Sequence, residues 1–523
     1  MPLWTRERRW YFGLTIAALT VAIAPYAWLW WQAESHGWIF SGLIYAPYDG
    51  YTYLAKMREG WMGAWRFTLP YTAHPGEGAY LYLFHLALGH LARVTHLSLP
   101  LTYHLARLIG VVMVVGALGR YFAAMFPDDD FSRRFAWTVS LFGLGMGWLI
   151  LPWAKAMLPM DFWVTEVYPF LTIMTNAHFP WALALMLLLL TPGKTTWRHV
   201  VVALGLALLS PFGVVLTGLI LAFWFVWVFT ADVLPSEIAW WHVRRFPVEA
   251  RQVLFRGLAV LLGGAPYAAY TYWVTHRDPI LAQWTAQNYT PLPLWWNMLF
   301  ALLPWGALAL GAWQRAHPAR RAMAGWVIAA LVLALMPTAL QRRFLMGVYV
   351  PLVGLAVFAW RRWLTGRWGK VAWALTLPSV VIFLFLPVGV GTQALQEQRS
   401  SLSVLFLTRG EADAMTWLRE NTRPDAVILA APDTGAIIPA WSGRRVLYGH
   451  PMETLEAPRY RELTGDFFRR CFEGAQAAAF LHREGVDYIF LGPRERALGG
   501  LPLYLPPETV AAHFDDVIIY RVP

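Results

Sequence analysis

Residues 11–31 read YFGLTIAALTVAIAPYAWLWW, and a short way on residues 47–58 read PYDGYTYLAKMR. The first stretch is apolar throughout, and as a helix rising 1.5 Å per residue it is long enough to cross a hydrocarbon core of roughly 30 Å. Trp28, Trp30 and Trp31 close it in the manner of an interfacial aromatic belt, and Arg6, Arg8 and Arg9 precede it. A cleavable signal peptide fits poorly, because the apolar run is too long and no small-residue cleavage site follows it. The run therefore reads as a first membrane helix whose basic end stays in the cytoplasm.

The rest of the chain asks for the same solvent. Of its 523 residues 58% are hydrophobic and only 14% charged, a balance outside that of soluble domains. Apolar segments of spanning length recur near 101–125, 135–153, 177–191, 200–231, 253–273, 294–313, 321–339, 344–360 and 371–390. The run 200–231 is interrupted at Ser210-Pro211 and reads as two short spans or a re-entrant pair. Residues 79–96, which contain His85, His90 and His96, are short enough to lie along the membrane. The expected fold is an α-helical polytopic membrane protein with about 11 transmembrane helices.

A formal net charge of +11 suggests nucleic acid at first sight. The Lys and Arg are gathered in short connectors, however, where insertion topology accounts for them, and no nucleic-acid partner is expected. Connectors 6–9, 315–321 (RAHPARR) and 361–370 (RRWLTGRWGK) are assigned to the cytoplasm. That assignment puts residues 33–78, the loop around Glu166, residues 341–343 and everything beyond 391 on the outer side. Residues 1–390 then form a membrane domain, with 33–78 as a first outer loop carrying juxtamembrane helices. Residues 391–523 form a small extracytoplasmic α/β domain, with strands at 426–430 (AVILA), 445–448 (RVLY), 487–491 (DYIFL) and 517–521 (VIIYR) and helices near 411–421 and 474–484. Cys471 is the single cysteine, so neither an intramolecular disulfide nor a cysteine-based zinc cluster is possible. No glycine-rich phosphate loop indicates a nucleotide site.

Charge beside hydrocarbon is costly, so ionisable groups at the outer face are the candidates for chemistry. Asp49, next to Gly50, can take a proton from an acceptor hydroxyl as a general base, and it equally suits the start of a helix. Glu166 and His178, in DFWVTEVYPFLTIMTNAH (161–178), can support Asp49 or coordinate a hard cation, or serve as a solvated acid and an interfacial histidine. Arg342 and Arg343 offer planar forks for a phosphate, or for phospholipid head groups. Tyr51, His178, Gln287 and Asn288 form the substrate-binding set; the amides of the outer loop 278–297 can meet a sugar face or serve as interfacial anchors. Asp128, Asp129 and Asp130 sit between the turn formers Pro127 and Ser132 and read as a cytoplasmic turn, not a metal motif. A divalent metal is neither required nor excluded by any clear motif.

Taken together, these residues resemble the GT-C superfamily of polytopic glycosyltransferases that use polyprenyl-phosphate-linked sugars, in a bacterial branch. The likeness lies in APYDGYTYLAKMREGWMGAW (46–65), in QRRFLMGVYVPL (341–352), in Glu166 with Asn176-Ala177-His178-Phe179, and in the outer C-terminal domain. It implies that Asp49 is the catalytic base or a metal ligand and that Arg342 and Arg343 engage the lipid phosphate. SGRRVLYGHPMET (442–454) is similar to a stretch in bacterial membrane proteins of this type. The resemblance implies a hexosyl- or pentosyltransferase in the bacterial plasma membrane. Such an enzyme moves a sugar, with inversion, to a hydroxyl of a glycan, lipid or protein. Two other classes fit the composition: a lipid or solute transporter or flippase, for which no inverted repeat is visible, and a non-catalytic membrane scaffold. The enzyme reading expects Asp49 and the arginine pair to share one non-cytoplasmic pocket.

Overall fold

The computed structural model describes residues 2–154, 157–232, 248–314, 318–397 and 403–522. Residues 315–317 of the second basic connector lie outside the described residues, as does the side chain of Arg6. Among the described residues six helices are long and apolar enough to cross a membrane: Glu7–Ser35, Leu99–Met125, Pro211–Thr230, Val248–Arg277, Gln341–Leu364 and Arg367–Gln396. The pair Trp295–Leu302 and Trp305–Ala312, bent by 81°, makes a seventh if counted as one span. Helices satisfy every backbone polar group internally, which is why apolar runs take this form in lipid.

The count falls below the about 11 that the apolar runs suggest, for local reasons. In the run 135–153 the helix Asp130–Phe142 stops, and the chain continues as short 3-10 turns at Gly147–Leu149 and Leu151–Trp153. Gly145 lies so close to the Ala301 carbonyl that a Cβ would come within 1.7 Å of its oxygen, a backbone approach open only to glycine. His178–Leu190 and Arg198–Leu209 are helices of 13 and 12 residues, or roughly 20 Å each, short of the hydrocarbon thickness. The break at Ser210-Pro211 is present, with the Ser210 hydroxyl accepting the Gly213 N–H at 3.2 Å, but the helix beyond it is of spanning length. Leu83–Thr95, with 13 residues, is too short to cross.

The chain divides into two compact units. The first comprises Met1–Ile23, Ala106–Trp273 and Tyr289–Phe385 and is built from helices and short turns. Trp137, Trp305 and Trp326 fill its interior. Arg107 is buried there, and its guanidinium donates to the carbonyls of Ala22 and Ile173, both at 2.8 Å, so buried carbonyls gain a donor. Glu7 pairs with Arg133 at 2.6 Å and with Arg134 at 2.9 Å, and Arg361 pairs with Asp129, so charged groups from several connectors meet. Asp129 also accepts from the Ser132 N–H and hydroxyl, which makes the acidic run 128–130 the start of a helix.

The second unit comprises Ala24–Leu105, Val274–Asn288 and Leu386–Pro523. Its helix Pro47–Trp61 packs closely on Leu83–Thr95: a Cβ on Gly60 would meet the Leu86 carbonyl at 2.1 Å, and one on Gly89 the Met57 carbonyl at 2.0 Å. Strands β1 (Ile39–Phe40) and β2 (Phe406–Leu407) pair antiparallel. Strands β3 (Val427–Leu429), β4 (Arg445–Val446), β5 (Tyr488–Leu491), β6 (Val510–Phe514) and β7 (Val517–Arg521) form a sheet of order β4-β3-β5-β7-β6. Both neighbours of β3 run parallel to it, and β7 is antiparallel to β5 and β6. Phe467, Phe468, Phe480 and Ile489 pack together in its core. Helix Arg409–Asn421 opens with a reciprocal capping box between Thr408 and Glu411.

Candidate functional site

Asp49 stands in the first turn of helix Pro47–Trp61, where the positive end of the helix dipole favours a carboxylate. It does not cap the helix: Ala46 holds that position, with no side-chain bond. The Asp49 side chain is 54% exposed, and its Oδ1 lies 3.3 Å from Nε2 of His450, a ring that is itself buried. His450 belongs to a tight turn at 449–454. Within that turn the Thr454 hydroxyl accepts the N–H groups of Gly449 and His450 at 3.2 and 3.3 Å, and the His450 carbonyl accepts the Thr454 N–H at 3.0 Å.

Two of the expected substrate-binding amides serve this turn. Gln287 donates to the carbonyls of Thr454 at 2.6 Å and Met452 at 3.3 Å, and Asn288 donates to Met452 at 3.1 Å and Trp284 at 2.7 Å. Residues 278–287 are not a loop as expected. Asp278 accepts from the Leu281 N–H, Pro279 follows it, and the helix Pro279–Gln287 results, a start signal that Asp-Pro supplies. Tyr51 is fully buried, with its hydroxyl donating to the Val404 carbonyl at 2.6 Å, so it anchors the helix from beneath.

Seven residues beyond Asp49, two helical turns on and on the same face, Lys56 is buried. Its ammonium meets Glu453 Oε1 at 2.8 Å and lies 4.4, 5.1 and 5.4 Å from the ring centres of Tyr82, Phe67 and Tyr53. The 449–454 turn is thus fixed to the helix twice, by His450 on Asp49 and by Glu453 on Lys56. Sequence reasoning quoted this stretch without giving it a role. Its only signal was a histidine and a glutamate in one short turn, with no periodicity to reveal their partners.

One turn further, Glu59 is buried and accepts from the Thr68 N–H and hydroxyl. Burial, only partly offset by the Thr68 bonds and by Lys56, pushes its carboxyl up from an ordinary 4.5 to about 8. A raised carboxyl pKa supports the fold fully below the unfolded value, and that contribution is lost as pH rises through the folded one. The expected result is that Glu59→Gln gains on the wild type as pH climbs from about 5 to 8. Unfolding midpoints of the two proteins measured across that window check it, and a constant gap contradicts it.

In the first unit Glu166 is buried, and its Oε1 is 3.8 Å from Nη1 of Arg343. The Glu166 carbonyl accepts the Gly347 N–H at 2.8 Å, which ties the acid to the segment carrying the arginines. Gln341–Leu345 is a 3-10 turn that sends the two guanidiniums to different rings. Arg342 lies 4.4 Å from the centre of Trp163, and Arg343 lies 5.5 Å from that of Phe212. Glu166, His178, Ser210 and Phe212 line one small pocket. Glu166, His178 and Arg343 are therefore brought together, as are Asp49, Gln287 and Asn288 around the 449–454 turn. Among the described residues no group of three or more His, Cys, Asp or Glu is gathered to hold a metal ion.

No protein-family model matches the chain, and no curated protein matches it in sequence. Solved structures do. The archaeal oligosaccharyltransferase AglB from Archaeoglobus fulgidus, in complex with an inhibitory peptide and a dolichol-phosphate, is similar with a TM-score of 0.51 at 16% identity, over 92% of this chain and 69% of that one. Arabinofuranosyltransferase AftD from Mycobacteria is similar with a TM-score of 0.53 at 16% identity, over 98% of this chain and 40% of that one. This chain has the fold of the GT-C membrane glycosyltransferases. It spans two-fifths of the length of AftD and about two-thirds of that of AglB.

Proposed function

We propose that the chain is a glycosyltransferase at the extracytoplasmic face of a bacterial plasma membrane, moving a sugar from a polyprenyl-phosphate donor to a hydroxyl of a glycan, lipid or protein. The observation that carries this reading is a GT-C fold over nearly the whole chain, combined with a half-exposed carboxylate at the start of the first loop helix. A dolichol-phosphate in the AglB structure supports a lipid phosphate as ligand. Residues 391–523 are read as an extracytoplasmic domain.

In the proposed step Asp49 takes the acceptor hydroxyl proton as that oxygen bonds to the anomeric carbon. The bond from this carbon to the phosphate oxygen breaks, its electron pair stays on the phosphate, and polyprenyl phosphate leaves. A single displacement inverts the anomeric centre. Arg342 and Arg343 hold the phosphate and meet the charge that grows on it, and Glu166 orients Arg343. His178 lines one small pocket with Glu166.

Reconstituted protein, given a labelled polyprenyl-phosphate sugar and an envelope extract as acceptor source, tests the reading. Arg342→Ala and Arg343→Ala are each expected to raise KM for the lipid donor by roughly tenfold. Arg343→Lys should recover only part of the loss, because an ammonium lacks the fork. An unchanged KM in both alanine variants contradicts the assignment.

A further inference from the structure

We infer that His450 is a positioning residue for the transfer step: its Nε2 edge, set against Oδ1, keeps the Asp49 carboxylate in one orientation. The inference rests on Asp49 being the base, as proposed above. Four observations lead to it.

The ring's tautomer is set by its surroundings. The Met452 backbone N–H, which can only donate, points at Nδ1 from 3.1 Å, so Nδ1 is the bare nitrogen of the neutral imidazole. The ring proton therefore sits on Nε2, the atom 3.3 Å from Asp49 Oδ1.

The 449–454 turn does not need this contact for its shape. Thr454 closes it from within, and Gln287 and Asn288 hold its carbonyls from helix Pro279–Gln287 and the residue after it. Glu453 pins it to Lys56. With the turn already fixed, the imidazole arrives at Asp49 as part of a rigid support.

Exposure divides the pair unequally. His450 is buried while the Asp49 side chain is 54% exposed. The carboxylate thus has a buried ring against Oδ1 while its side chain is half-exposed. That asymmetry suits a base whose lone pair must meet an acceptor hydroxyl along one direction.

Finally, the contact joins residues 401 positions apart, since 450 − 49 = 401. A carboxylate from the first loop helix comes to depend on the C-terminal segment. The region 442–454 thereby gains a reason to sit in the same compact unit as residues 47–61.

Two substitutions separate the roles of the two ring nitrogens. Gln carries an N–H donor at about the reach of Nε2, and Asn carries an acceptor at about the place of Nδ1. In the lipid-linked transfer assay with full-length protein in liposomes, His450→Ala is expected to lower kcat by roughly 10- to 100-fold with little change in KM for the donor. His450→Gln should recover most of kcat, and His450→Asn should not. Recovery by Asn but not Gln would mean that the ring only supports the turn through Met452, and would overturn the inference. So would an unchanged kcat in His450→Ala when Asp49→Asn is inactive. A wild-type protein that transfers no sugar, with Asp49→Asn indistinguishable from it, sinks the catalytic reading itself and is told apart by that equality.

Discussion

Asp49→Asn is expected to reduce sugar transfer by about 10²- to 10⁴-fold, the usual share of a general base, while leaving the protein folded. The two expectations belong together. Asn keeps the size of Asp and keeps an oxygen to face His450 Nε2, so the contact across which the 449–454 turn meets helix Pro47–Trp61 persists. It loses the ability to take a proton. The side chain is half-exposed and does not cap its helix, so the substitution removes no burial and no cap. Single-turnover transfer from a polyprenyl-phosphate sugar, measured beside the thermal unfolding of both proteins, checks the prediction. Full activity in a folded Asn variant would end the assignment of Asp49. Loss of activity with loss of fold would move Asp49 to a structural role.

The largest effect on stability is expected at Lys56. Breaking a buried ion pair from one side costs about 3–5 kcal/mol, because the remaining charge stays desolvated without a partner. Lys56→Met does this to Glu453, whose Oε2 already finds no hydrogen-bond partner among the described residues. Glu453→Gln is expected to cost less. The Lys56 ammonium then still faces the rings of Tyr82, Phe67 and Tyr53, which attract a cation through their quadrupoles. The double variant Lys56→Met with Glu453→Gln should recover much of the single loss, since neither residue then carries a stranded charge. Unfolding midpoints of the four proteins measure the cycle. Equal losses for the two single variants, adding without recovery in the double, would contradict the account of a desolvated pair.

Much of the helical plan was legible because lipid forces it. The stretches 11–31, 101–125, 253–273, 344–360 and 371–390 each fall inside a helix of spanning length, and Ser210-Pro211 breaks the chain where the sequence suggests. Apolar composition misleads at 135–153. There Gly145 and Gly147 let the chain press against Ala301 and Asp161, and close packing replaces a span. At 294–313 Pro304 lacks a backbone donor, and the helix pair bends by 81° around it. In the C-terminal residues the four apolar stretches named from the sequence appear as β3, β4, β5 and β7. Strand β6 reads VAAHF, too weak a pattern to stand out alone, and gains its identity by pairing with β7.

The candidate site was legible as residues but not as partners. Asp49, Glu166 and Arg343 stand out because charge beside hydrocarbon needs a reason. Their neighbours come from far along the chain: His450 on Asp49, Glu453 on Lys56, and Gln287 on the Thr454 carbonyl. A contact between distant segments leaves no spacing in the sequence to read. Gln287 and Asn288 illustrate the cost. Amides free to meet a sugar and amides that clasp a backbone turn look the same until the turn is seen.

The account stands on the fate of the donor. A liposome preparation of the wild-type protein, given polyprenyl phosphate carrying a radiolabelled sugar of known anomeric form and an envelope extract, measures it directly. The expected result is label leaving the lipid phosphate for a water-soluble, lipid or protein acceptor, with the opposite anomeric configuration and only while Asp49 is intact. Label that stays on the lipid while the lipid changes leaflet, or that leaves equally well with Asn at position 49, would contradict it.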